Sequence, residues 1–535
     1  VRAAVLLGLV ALAGAARAEP TEPDRFFADK PDGDRDKSLW QGSLVLSSFG
    51  YAETSDQLEL GLIEVPLASP YRRVWGEARL QLDGRHLKGG RWDARVDGRA
   101  RYVASRPGDA SGDPNRIQSG LLGANEYDVR ELYLVRAGKR SDLFLGRLVI
   151  ADLGALRVDG MRLDYAKNAR WTYLGFLGLH PARGSRSLAT DYPVGIDKMN
   201  EATGRVLPVT GGFGAAYRTD KGYGSLGAVT IVPTSRDGGA GGSGTYERAR
   251  VYLAAQGYWR SSPRLDLWHY VVLDVYGTAG FAPTNASVGL QYKPGPRLRT
   301  QLAVNQIDTE ALNVQVRGLL ENDAPSGGPI VNNFSVQRIG NTMVRGAVSA
   351  LLGKHRRWEL TAALHGRRRP DVTFTTGATP QVLPAAQSLE VHAGLVDHGF
   401  YRGIRAELAY SRSVSIGDAS YARSIAQVVR LGGTREWGAG RTLVTADLTW
   451  LSSADDNAGA SCTPGAIATC YGSANTNAFQ LNGQGYYRWK ENWYVTGSLG
   501  LGLQRILATD PVTNQGIRRP SITTAQAFAR VGYRF

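Results

Sequence analysis

Residues Arg91–Ala104 read RWDARVDGRARYVA. An ionisable side chain occupies Arg91, Asp93, Arg95, Asp97, Arg99 and Arg101, while Trp92, Ala94, Val96, Gly98, Ala100, Tyr102 and Ala104 between them carry no charge. Successive side chains of a strand point to opposite faces, so the segment has one apolar face and one face of Asp and Arg. In a water-soluble sandwich the apolar face would lie in a core and the charged face in solvent. In a membrane barrel the apolar face meets lipid and the charges face an enclosed lumen.

The same alternation recurs nearly to the end of the chain. In Arg248–Arg260 (RARVYLAAQGYWR), Val251, Leu253 and Trp259 oppose Arg248, Arg250 and Arg260. In Arg357–Arg367 (RWELTAALHGR), Trp358, Leu360 and Leu364 oppose Arg357, Glu359, His365 and Arg367. Segments Gln480–Lys490 and Trp493–Leu503 repeat the scheme. Runs of about ten residues suit a tilted membrane-spanning strand. Short turns such as KPGPR (293–297), RSSPR (260–264), GKHRR (353–357) and KEN (490–492) alternate with long polar segments at 104–126, 180–211, 233–246, 308–335, 368–387, 453–476 and 505–521. Short periplasmic turns alternating with long outer loops are the pattern of outer-membrane barrels. No fixed internal period marks a propeller.

The fold expected is therefore all-β, a transmembrane antiparallel β-barrel with an even strand number of about 18–22, best counted as 22, and no plug domain. The first strand falls near Leu39–Leu46 or Leu58–Leu62, and the runs at 127–137 and 142–166 alternate poorly. Trp92, Tyr102, Trp259, Trp358, Trp450, Trp489 and Trp493 share the apolar parity near strand ends, as an interfacial girdle would. The last strand, ARVGYRF, sets Val531, Tyr533 and Phe535 on one face. It resembles the C-terminal signal by which Gram-negative outer-membrane proteins are recognised by the barrel assembly machinery, which makes that machinery an expected partner.

Composition sets further bounds. The 535 residues include 66 Gly and 24 Tyr, with a net charge of +15 and 43% hydrophobic residues. Arg2, the apolar stretch Ala3–Ala16 and the small-residue pattern Ala16-Arg17-Ala18 read as a secretory signal peptide over 1–18. A periplasmic segment would follow over 19–38 and the barrel over 39–535, with no run long enough for a membrane helix. Export argues against nucleic acid as the partner of so basic a chain and points to outer-membrane lipid and lipopolysaccharide. Cys462 and Cys470 are expected to close a small disulfide loop in an oxidising compartment.

On these parities Arg95, Arg99, Arg101, Arg248, Arg250, Arg357, Arg367, Arg405, Arg488 and Arg530 line the lumen, with fewer acids, among them Glu77, Asp97, Asp274, Glu359, Glu390 and Asp447. Much of this set would form salt bridges that stiffen the wall. A surplus of guanidinium groups would favour anions. The segment preceding the first strand is too short for a folded plug, so loops 180–211 and 308–335 are expected to narrow the pore.

The segments VRELYLV (129–135), LFLGRL (143–148), VDGMRLDY (158–165) and WTYLGFLGL (171–179) resemble alginate-export-type porins, with Leu148 where that family has Gln. The resemblance implies outward passage of an anionic polysaccharide through an arginine-lined pore. The alternative is a structural outer-membrane component of a trans-envelope machine for secretion, adhesion or gliding motility, bound to periplasmic partner proteins. Gly239–Gly244 fits a dinucleotide pattern but has no following helix, and Asp455, Asp456 and Asn457 lack calcium-loop spacing. None of the seven histidines sits in a metal or nucleophile motif, although His365 and His392 have inward parity. No enzyme activity, cofactor or metal is expected.

Overall fold

The computed structural model describes residues 38–55, 58–60, 63–65, 71–104, 126–181, 188, 191–192, 194–196, 202–205, 207–232, 249–277, 280–308, 340–376, 379–383, 385–417, 423–456, 473–509, 516–518 and 521–535. Twenty-two antiparallel strands close into one barrel. They are β1 (Leu39–Ser55), β2 (Tyr71–His86), β3 (Trp92–Val103), β4 (Glu126–Ala137), β5 (Ser141–Ile150), β6 (Leu156–Ala166) and β7 (Trp171–Leu179). There follow β8 (Val209–Thr219), β9 (Gly222–Val232), β10 (Arg250–Ser262), β11 (Leu265–Tyr276), β12 (Ala282–Gly295), β13 (Leu298–Asp308), β14 (Gly340–Leu352) and β15 (Trp358–Arg369). The circuit is completed by β16 (Ala386–Tyr401), β17 (Ile404–Gly417), β18 (Arg423–Trp437), β19 (Thr442–Asp456), β20 (Ser473–Arg488), β21 (Trp493–Thr509) and β22 (Ile522–Arg534). Strand β1 is a single run from Leu39 to Ser55, and Leu58–Leu60 belongs to a small separate hairpin with Ile63–Val65.

Each strand pairs with its sequence neighbours, and β1 pairs with β22 from Ser43↔Arg534 to Ser55↔Ile522, which removes the last free edge. Beyond the strand end, Gly42 and Phe535 exchange backbone hydrogen bonds of 3.0 and 3.1 Å.

The quoted stretch becomes β3, and its register explains its charges. Arg101 lies opposite Glu77, Arg99 opposite Arg79 and Asp97 opposite Gln81 on β2. Directly opposed side chains share a face, so the charges of the two strands meet inside. The other face carries Leu44, Leu46, Leu80, Leu132 and Leu134, all at least 40% exposed and aimed away from the lumen. Near the short-turn end, the outer face carries Trp171, Tyr173, Tyr217 and Trp259 in successive ring contacts, and Trp493, Tyr533 and Phe535 in another run.

Two irregularities account for the weak alternation of 127–166. Opposite β3, the register passes from Asp97↔Glu131 to Gly98↔Val129, so Arg130 is the extra residue of a bulge that shifts the parity of β4. On β5, Gly146 has φ 130°, and a Cβ there would lie 2.2 Å from the Leu132 carbonyl oxygen. Only glycine takes that conformation without strain.

The outward parity of β21 yields a direct test. Leu501 pairs with Leu481 and Ala525 on the lipid face. Leu501→Arg should destabilise the folded barrel by about 2–4 kcal/mol in urea-dependent folding into lipid vesicles. Asn482→Arg, on the inner face of β20, should change it by less than about 1 kcal/mol.

Candidate functional site in the lumen

The upper ends of β5 and β6 leave the barrel wall. Residues Ile150 and Leu156 still pair with each other, but β4 pairs with β5 only up to Leu132↔Arg147 and β6 with β7 only from Asp159↔Leu179. The intervening hairpin, residues 148–158, folds into the lumen. Its tip, the short 3-10 turn Ala151–Leu153, reaches the inner face of β8–β10. Leu153 fills the space over Gly214 and Gly227, and a Cβ at Gly227 would lie 2.3 Å from its Cδ2. The Tyr252 hydroxyl donates to the Leu153 carbonyl at 3.1 Å, and Gln256 donates to the Asp152 carboxylate at 2.5 Å.

Around the tip lies a small apolar core inside the barrel. Ile150, Leu153, Leu156 and Val158 pack with Leu174, Phe176, Val229, Tyr252 and Val272, all below 9% exposure. Each fully buried aliphatic side chain contributes roughly 1.5–3 kcal/mol, enough to hold the hairpin docked.

Asp152 is sealed in this core at 2% exposure. Burial pushes its carboxyl up to about 6, against the opposing pull of the Arg162 guanidinium and the Gln256 hydrogen bond, while Asp164 adds to the rise.

Arg147 stands where the hairpin departs. It donates to Asp159 through two nitrogens at 2.6 and 2.5 Å, to Asp191 at 2.6 Å and to the Val129 carbonyl at 3.0 Å. Tyr192 donates to Asp159, and burial with that carboxylate beside it holds the phenol protonated well above the usual tyrosine range. The β4 edge abandoned by β5 is thus satisfied by Arg147 at Val129 and by the Leu188 N–H at Tyr127.

The ionic network extends along the inner wall. Arg157 bridges Asp191 and Asp128, and Asp128 leads to Arg99. Arg99 and Arg101 share Glu77 and Glu126, Arg79 pairs with Asp97, and Arg95 pairs with Glu131 and Asp83. Carboxylates outnumber guanidiniums in this ladder. Arg95, Arg99 and Arg101 are therefore engaged by the wall itself.

The remaining arginines expected in the lumen divide by position. Arg250 pairs with Asp274 at 2.9 Å. Arg367 donates twice to Asn341. Arg405 and Arg488, with inward parity on β17 and β20, make no ion pair among the described residues. The Arg530 guanidinium lies 5.0 Å from the Phe528 ring centre. Arg357 precedes β15 in a turn, where it pairs with Asp397 and covers the Trp358 ring, so it is a rim residue and not a lumen one. Arg248, Cys462 and Cys470 lie outside the described residues, as does most of 308–335. Of the two loops expected to narrow the pore, 180–211 supplies Asp191 and Tyr192 to the Arg147 network. Among the described residues, the five-residue connection at 151–155 with its flanking strand ends also enters the lumen.

A closed sheet with an apolar outer face and aromatic belts can be solvated only by a bilayer. The chain is an integral outer-membrane β-barrel. No family model matches it, and no curated protein matches it in sequence. Among solved structures it is similar to OccAB4 of Acinetobacter baumannii, with 8% identity over 94% of this chain and 100% of that one and a TM-score of 0.37. It is also similar to OccD3 (OpdP) of Pseudomonas aeruginosa, with 9% identity over 94% of each chain and a TM-score of 0.37. A bacterial polysaccharide outer-membrane secretin aligns with 11% identity over 62% of this chain and 92% of that one, with a TM-score of 0.30. These likenesses assign no substrate to this chain.

Two outcomes follow for the hairpin. Leu153→Asp places an unpaired charge in the inner core and should release the tip, raising single-channel conductance severalfold while the barrel keeps its heat-modifiable migration in detergent gels. The raised Asp152 carboxyl makes the docked state hold its proton to higher pH than the released state does. Docking is therefore firmest below the ordinary aspartate range near 4 and weakens as pH rises to about 6. Wild-type conductance should climb over that interval and level off above it, and Asp152→Asn should flatten the profile.

Proposed function

We propose that the protein is a passive outer-membrane channel that favours anionic solutes, with acidic polysaccharide chains as the substrate class. The observation that supports this most is the uneven distribution of charge around the inner wall. On β2–β6 most inward guanidiniums are matched by carboxylates, Arg85 being the exception among the described residues. On β14–β22, Arg345, Arg405, Arg488 and Arg530 have inward parity and no ion pair among the described residues.

Guanidinium groups with open donors suit carboxylate and sulfate or phosphate oxygens through paired N–H contacts. Between the two walls the docked hairpin narrows the passage, so a permeant anion would travel along the arginine-bearing side. The sequence resemblance to alginate-export-type porins agrees with such a substrate, and its Gly146-Arg147 and Asp159-Gly160 residues are those that set the hairpin's departure from the wall.

Planar-bilayer recording under a salt gradient tests the reading. A reversal potential of anion-selective sign is expected, with block by added polyuronate. The combined change Arg345→Gln, Arg405→Gln, Arg488→Gln should lower the anion-to-cation permeability ratio severalfold. A cation-selective or closed barrel indifferent to polyuronate would overturn the proposal and favour a structural envelope role.

A further inference from the structure

His365, Glu390 and His392 converge on the lumen side of β15 and β16. Glu390 lies directly opposite His365 in the register, and His392 follows two positions later on the same face. One ligand atom from each can be chosen so that all lie within 4.8 Å of one another. The ring centres of the two histidines are 4.9 Å apart. Their side chains are only 17% and 20% exposed, and that of Glu390 is 31% exposed.

The nitrogen pattern is unusual for a group tied up by the wall. The Nε2 atom of His365 is shielded from solvent and makes no hydrogen bond. His392 Nε2 stands 2.7 Å from one Glu390 oxygen, and His365 Nδ1 is 3.9 Å from the other. Buried imidazole nitrogens ordinarily find a partner.

We propose that His365, Glu390 and His392 form a divalent transition-metal site of the zinc class on the lumen wall. Two imidazoles and one carboxylate are an established donor set for Zn²⁺ with a fourth position left open, and imidazole disfavours Mg²⁺ and Ca²⁺. Bonds near 2.0–2.2 Å place tetrahedral donors roughly 3.3 Å apart, so small side-chain rotations close the triangle. Glu390 offsets one of the metal's two charges. Arg345, directly opposite His365 on β14, adds a positive neighbour, which weakens cation binding in isolation. It also makes the open fourth position attractive to an anion, a consequence that rests on the channel reading, whereas metal binding does not.

The test uses the refolded full chain in detergent micelles. Isothermal titration with Zn²⁺ should show one site, and Co²⁺ should give visible d–d bands of a low-coordinate ion, abolished by Zn²⁺. His365→Ala, His392→Ala and Glu390→Gln should each weaken binding at least tenfold. His398→Ala, at the rim beside Glu359, should leave it unchanged, and heat-modifiable migration would verify that every variant folds. Absence of Co²⁺ bands in the wild type, or Zn²⁺ binding that persists in His365→Ala and His392→Ala, would overturn the site. Conductance plays no part in these readouts, so the site can fail while the channel stands, and the reverse.

Discussion

In hydrocarbon no water is available to satisfy a backbone N–H or C=O, and each one left alone costs several kcal/mol. Closure of β1 onto β22 answers that demand around most of the circumference. The demand returns wherever a strand leaves the wall, as β5 and β6 do above Arg147 and Asp159. The Arg147 guanidinium at Val129 O and the Leu188 amide at Tyr127 O take over the bonds that β5 would have supplied. The hairpin can enter the lumen because the opening it leaves is repaired by a side chain and a loop.

That displacement gives the barrel two separate apolar environments. Outside, leucines and valines are exposed to lipid; inside, the hairpin makes its own core against β7–β11 around Leu153. The opposite side of the hairpin carries Arg157 and Asp159 into the ionic ladder. A partly buried charge is costly unless paired, and the ladder's shared carboxylates, Glu77 between Arg99 and Arg101 and Asp191 between Arg147 and Arg157, meet that condition by serving two arginines each.

The alternation of period two made the strands, their faces and the barrel class legible from sequence, because each side-chain identity reports locally on lipid or lumen. Parity also put His365 and His392 on the inner face. It could not pair residues, since pairing depends on register between strands. The sequence leads to the expectation that much of the arginine set is salt-bridged but names no partners; register brings Glu131 beside Arg95, and Glu126 and Asp128 beside Arg99. Arg357 misled because it shares the parity of β15 without belonging to the strand. The hairpin was masked by the features that create it: the extra residue Arg130 and the left-handed Gly146 break the alternation from which a strand is read.

A barrel of this circumference cannot fill its interior with side chains from the wall alone. The inner surface is held by ion pairs where β2–β6 face the hairpin, and carboxylates are in excess within those pairs. Among the described residues, arginines without an ion pair lie on β14 (Arg345) and β17 (Arg405), across the lumen from β2–β6, and also on β20 (Arg488) and on β22 (Arg530), which β1 alone separates from β2. Paired charges largely cancel one another's field within a few ångströms, whereas unpaired ones project it until screened over about 8 Å at physiological salt. On the channel reading proposed above, the hairpin would bear both on the width of the passage, through its docked tip, and on the charge of the wall beside it, through Arg157.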